Sequence, residues 1–340
     1  MGLETFWFCV IAFLWAGYFM LEGFDFGVGI LLPFVGRDEE ERGEMLETIA
    51  PVWDGNEVWL VVAGGATFAA FPAWYATMFS GFYVALLLVL VLLIVRVLSF
   101  EWRGRSGDHR WRGLWLWANV TASIGAPVIW GVALTNLVQG VPINSSGDYS
   151  GGFVDLFSPY TVAGGLATLL LFALHGATFL GLRTTGALRE RTEHAARRLA
   201  VPTAVVVSLF LVWTVLVATD SNHKSALPVA LVAAAAIVAL AVGVLLLVRG
   251  RAHAAFMASA AGIVLTVATI FTALYPRVMV SSTDFSHSLT TSNASSAHYT
   301  LAVMSVVAVV MTPIVLAYQG WTYYVFRRRL EGAPPSPPGS

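Results

Sequence analysis

Nine long apolar blocks recur along the chain, near residues 5–31, 48–72, 75–98, 112–138, 158–182, 199–219, 226–248, 252–275 and 298–326. Each can cross roughly 30 Å of hydrocarbon as a helix rising 1.5 Å per residue. This pattern predicts an all-α integral membrane protein with about nine transmembrane helices. Only 11% of the residues are charged, against about 25% in an average soluble domain. The lipid bilayer, not nucleic acid, is the expected surrounding. The first block starts almost at Met1 with no Lys or Arg before it and outruns a signal-peptide core, so it reads as a retained span. Cys9 is the single cysteine, which excludes an intrachain disulfide and a cysteine-held cluster or zinc site.

Orientation follows from the basic residues, which accumulate in short cytoplasmic loops. Of 19 Lys and Arg, all but Lys224 and Arg277 fall on one side if the spans alternate. The N-terminus is therefore expected outside and the C-terminus in the cytoplasm. Segments 139–157 and 281–297, rich in Gly, Ser, Asn and Thr, are expected to form external caps. No loop is long enough for a separate domain. Residues 1–330 read as a single polytopic membrane domain and 331–340, "EGAPPSPPGS", as a disordered cytoplasmic tail. "GGATF" at 64–68 and "HGATF" at 175–179 match, but five small-residue positions do not make an internal repeat.

Acids inside the blocks need a reason, because an ionised carboxylate facing lipid costs at least about 2.5 kcal/mol. Glu22 and Asp25 are three residues apart and share a helix face; Asp54 and Glu57 repeat the spacing in the next block. Arg96 ends the third block on the same side. Four acids against one arginine do not balance, which is the profile of a proton-uptake path. The plainer reading is that Glu57 lies at the interface, Arg96 snorkels to water, and Glu22 and Asp25 satisfy a helix end. Gly23, Gly27 and Gly29 suit close helix packing better than a phosphate loop, whose strand and Lys-Ser/Thr ending are missing.

A haem in a bundle needs inward-facing His, Met or Cys ligands. His109, His194 and His253 fall in expected cytoplasmic loops, His223, His287 and His298 at the external side, and His175 stands alone in a span. A buried, hydrogen-bonded His175 is the favoured reading over a cofactor ligand, and no metal-binding cluster is expected. Trp102, Trp111, Trp115 and Trp117 flank two blocks where interfacial anchors sit.

"EGFDFGVGILLPFVGRDEEER" at 22–42 and "IAPVWDGNEVWLVVAGGATF" at 49–68, followed by "HGATFLGLRT" at 175–184 and "YPRVMVSSTDFSHSLT" at 275–290, closely resemble subunit II of the cytochrome bd-type quinol oxidases. The resemblance runs over essentially the whole chain. It implies nine spans arranged as two four-helix bundles plus a peripheral helix, in a bacterial cell membrane. It implies a partner, subunit I, that carries haems b558, b595 and d and couples quinol oxidation to reduction of oxygen to water. It leaves room for a small single-span subunit and for a structural quinone. Family proton-path carboxylates map to Asp25 and Asp54, with Arg96 as the arginine of the third span; Glu22 stands where relatives commonly carry aspartate. An ion-coupled secondary transporter is the alternative from another class, since intramembrane acids and Gly-rich spans mark carriers too. A scaffold without a conducting role is the third.

Overall fold

The computed structural model describes residues 2–327 and 329; the expected tail at 331–340 lies outside the described residues. The chain is built from α1 (Leu3–Val35), α2 (Glu39–Glu47), α3 (Trp53–Ala70), α4 (Pro72–Gly81), α5 (Tyr83–Trp102), α6 (His109–Gln139), α7 (Pro159–Arg183), α8 (Gly186–Asp220), α9 (Ala226–Val248), α10 (Ala252–Leu274), β1 (Arg277–Met279), β2 (Leu289–Thr290) and α11 (His298–Val325). Hydrocarbon offers no partner for backbone N–H and C=O groups, so each crossing segment satisfies them internally as a helix.

Eight of these helices are long and apolar enough to cross a membrane: α1 and α5 to α11, among the described residues. α3 falls short because Asp54, Asn56 and Glu57 occupy its first turns. The expected span at 75–98 is instead two helices. α3 ends at Ala70 and Phe71 follows it; Pro72 opens α4 at its first position, where a missing N–H costs nothing, and Phe82 separates α4 from α5.

Two expected loops contain helix. Residues 33–47 include α2, capped by the Asp38 side chain, which accepts from Glu41 N at 2.9 Å. α8 begins at Gly186 and not near 199, because its Ala, Leu, Arg and Glu residues are strong helix formers and Arg189 pairs with Glu193 one turn on, at 2.9 Å. His194 therefore lies on a helix, and His253 and His109 at helix starts.

α1, α6 and α7 form the most enclosed part of the molecule. α1 packs against α3, α6, α7 and α10, and α7 also meets α6, α8 and α10. The α1/α7 crossing is made by Gly27 and Gly176: a Cβ on Gly27 would stand 2.1 Å from Phe172 O, and one on Gly176 2.4 Å from Gly27 C. Only glycine fits there. α11 lies at the margin, with Leu301 as its one buried residue.

The two ends differ. At one end, segment 140–158 pairs with the segment around the antiparallel β1/β2 ribbon: Val141 N donates to Val280 O at 3.0 Å and Ser282 N to Val141 O at 2.9 Å. Thr283 Oγ1 donates to Ile143 O at 2.6 Å. The two polar caps read from the sequence thus form one lid. At the arginine-rich end, Glu39 of α2 accepts from Arg42 at 2.8 Å and from Arg103 at 2.7 Å. Arg191 of α8 pairs with Glu41 and donates to Val35 O at 3.0 Å.

Candidate functional site

Towards the arginine-rich end, α1, α3 and α5 bring together side chains that have no place in an apolar core. Glu22, Asp25, Asn56 and Arg96 are all buried. Glu22 and Asp25 fall on one face of α1, as their spacing requires, and Asp25 is about 15 Å from the helix end at Val35 at 1.5 Å per residue. Arg96 comes from the last turns of α5 and forms an ion pair with Glu22 through Nη1 and Oε1. Its guanidinium also lies over two rings, 4.5 Å from the centre of Phe26 and 5.3 Å from that of Phe100, an arrangement that favours a cation.

Asp25 has no ion-pair partner among the described residues. Its Oδ2 accepts from Asn56 Nδ2 at 2.7 Å. The Asn56 amide oxygen in turn accepts from Tyr323 Oη at 2.6 Å and from Gln319 Nε2 at 3.1 Å. Asn56 is therefore a hub joining α1, α3 and α11. The same group of side chains leaves Glu57 Oε2 and Arg96 Nε and Nη2 buried without a protein hydrogen-bond partner, and the Glu22 and Asp25 carboxyls stand within hydrogen-bond reach of each other.

The expected residues are thus not equivalent. Glu22, Asp25 and Arg96 come together. Glu57 is half-buried beside them, and Asp54 is exposed in the first turn of α3. Sequence reading passed over Asn56, Gln319 and Tyr323. The available signal was polarity in an apolar block: Gln319 is the sole amide side chain of block 298–326, and Asn56 sits between the two acids of "DGNE". A thread of polar groups continues from Arg96 towards α6: Asn119 Nδ2 donates to Ser99 Oγ at 2.7 Å, and Ser99 Oγ to Arg96 O at 2.5 Å.

His175 is buried with both ring nitrogens engaged, Nδ1 with Ser259 Oγ at 2.7 Å and Nε2 with Met20 O at 3.1 Å. Its ring stacks on Phe256 at 4.6 Å. An imidazole so occupied does not fit an axial haem ligand. No group of three or more His, Cys, Asp or Glu is placed to hold a metal among the described residues.

The family model for cytochrome bd terminal oxidase subunit II matches residues 3–326. The chain belongs to the cytochrome bd terminal oxidase subunit II family. It is 38% identical over 334 residues to cytochrome bd ubiquinol oxidase subunit 2 of Bacillus subtilis, covering 98% of each chain. It is 37% identical to cytochrome bd-I ubiquinol oxidase subunit 2 of Escherichia coli K12, covering 95% of this chain and 93% of the relative. Its fold is shared with a chain of the bd oxidase structure from Geobacillus thermodenitrificans, with a TM-score of 0.77, 19% identity, and 96% and 99% of the two chains covered. Membership of this bd oxidase family disfavours the secondary-transporter alternative. Glu22, Asp25 and Asn56 lie in the first two of the four stretches that carried the resemblance, 22–42 and 49–68.

Proposed function

We propose that the chain is the haem-free second subunit of a bd-type quinol oxidase, seated in a bacterial cytoplasmic membrane beside a haem-bearing subunit I, and that its buried acids carry protons from the cytoplasmic side towards that partner. In this reading α3 serves as a ninth span, the helices form two four-helix bundles with α11 peripheral, and the arginine-rich end faces the cytoplasm with the N-terminus outside. Haems b558, b595 and d belong to subunit I; quinol and oxygen are substrates of the complex. A small single-span subunit and a structural quinone are compatible with this arrangement, and no step depends on either.

The observation that carries the proton path is Asp25: a fully buried carboxylate whose one N–H donor is a neutral amide and whose carboxyl stands within hydrogen-bond reach of that of Glu22, so that the two acids can share a proton. A permanently structural acid in hydrocarbon is expected to be fully paired. The acids grade from exposed Asp54 through half-buried Glu57 to buried Asp25 and Glu22, an order that suits passage from water into the bundle. Arg96 holds Glu22 and limits the net charge of the cluster.

Asp25→Asn removes the titratable group at nearly constant volume. Oxygen reduction by the purified complex is expected to fall at least about tenfold, which is about 1.4 kcal/mol of barrier, with haem content unchanged. Asp54→Asn should behave similarly and Glu57→Gln more mildly. Full turnover in Asp25→Asn would sink the path.

A further inference from the structure

The Asn56 amide makes every hydrogen bond it can. Nδ2 donates to Asp25 Oδ2 at 2.7 Å and to Leu21 O at 3.4 Å; Oδ1 accepts from Tyr323 Oη at 2.6 Å and Gln319 Nε2 at 3.1 Å. A primary amide has two N–H donors and two acceptor positions, so none is spare. Two donors from α11 converge on the oxygen, which turns the NH2 group towards α1 and leaves Asn56 a single orientation. Asp25 consequently receives an N–H at Oδ2, while no N–H donor reaches the buried Oδ1 and the Glu22 carboxyl stands within hydrogen-bond reach of Asp25.

We propose that Asn56, locked by Gln319 and Tyr323, is the positioning residue that assigns the two oxygens of Asp25 different tasks. Oδ2 is the anchored oxygen and Oδ1 the one that exchanges the proton. A proton reaching Asp25 forms its O–H bond at Oδ1, and that bond breaks when the proton moves on, while Oδ2 goes on accepting from Asn56. No oxidation is involved. This inference rests on the reading of Asp25 as a proton carrier.

The lock also makes α11 part of the site. That helix is held by few hydrogen bonds to the rest of the molecule: Trp7 Nε1 donates to Leu301 O at 3.2 Å and to Ser305 Oγ at 3.0 Å near its start, and the Asn56 station and a bond from Arg183 to Phe326 O hold it near its end. Most of the intervening residues are exposed. The geometry of Asp25 therefore depends on how α11 is seated, and α11 does not itself carry an acid.

The test uses the whole detergent-purified oxidase with the pair Tyr323→Phe and Gln319→Leu, which strips both donors from Asn56 Oδ1. Tyr323→Phe keeps the ring that packs edge-on to Phe24 at 6.4 Å. Readouts are turnover, haem content, and the infrared carbonyl band of protonated Asp25, identified by its loss in Asp25→Asn. The pair should cut turnover about tenfold, within the range expected for two lost hydrogen bonds, keep the haems, and shift the Asp25 band, which a purely structural role would not move. Asn56→Leu should cost as much, and adding the pair to it should cost nothing more, the non-additivity of groups acting as a unit. If Asn56→Leu fails to assemble, the pair alone decides, since its positions lie on the marginal helix. Unchanged turnover and an unmoved band in the pair, with Asp25→Asn inactive, would overturn the lock and leave the path standing; an active Asp25→Asn would remove both.

Discussion

Arg96 shows how finely the site is poised at the level of single side chains. It is buried and forms an ion pair with Glu22, one of the two buried acids on α1. Taking away one partner of a buried pair strands the other, at about 3 to 5 kcal/mol. Arg96→Leu should therefore prevent assembly, read as loss of haem-containing complex on purification. Arg96→Lys should assemble but with a lower melting temperature, since an ammonium keeps the charge and loses the planar contact with Phe26 and Phe100. Equal stability of both variants to the parent would show that the pair contributes nothing. Glu22, Asp25 and Arg96 were legible in the sequence because charge inside an apolar block is conspicuous. Asn56 was not, because a neutral amide gives no such signal until its four partners are seen to converge.

Helix against helix, the site depends on how closely α1 and α7 cross. Gly27 and Gly176 touch backbone to backbone, and the residues beside this crossing include both Asp25 and His175. Without a hydrophobic drive between helices in lipid, such packing supplies much of their association. Gly176→Ala should force the helices apart, with an overpacking cost of about 1 to 3 kcal/mol. The expected result is a lower melting temperature and reduced turnover; an unchanged melting temperature would mean that the crossing yields at no cost. Sequence spacing placed Gly27 on a packing face but named no partner, since Gly176 lies far away in the chain and small residues are frequent in every span. Helix boundaries were legible where hydropathy changes sharply, and illegible in α8, whose charged first half is helical but not apolar. The break at Phe82 was likewise hidden, because the Ser80-Gly81 pair before it is too short an interruption to show in an otherwise apolar block.

At the scale of the whole molecule, the arginine-rich end is tied together by acids. Burial works against the charge on Glu39, but the hydrogen bond from Arg42 and the charge of Arg103 outweigh it and hold this carboxyl below the usual carboxylate range. A depressed carboxylate contributes stability above its unfolded value, about 4.3, and loses it as pH falls through the folded value. α2 should therefore stay docked at neutral pH and loosen only in acid. Spin labels at the exposed positions of Glu40→Cys and His194→Cys, in a Cys9→Ser chain, should keep their separation between about pH 6 and 8 and spread below about pH 4; spreading near neutrality would assign the docking to other groups. The sequence by itself determined that the chain is a helical membrane protein of this family with acids in its first two apolar blocks, because hydropathy and charge are local properties that survive without coordinates. Only the tertiary structure decided that Glu22 takes the arginine, that Asp25 is left with an amide, that Asp54 stands at the surface, and that α11 reaches into the cluster. Those outcomes depend on which faces of separate helices meet, and a face is matched to its partner only by packing.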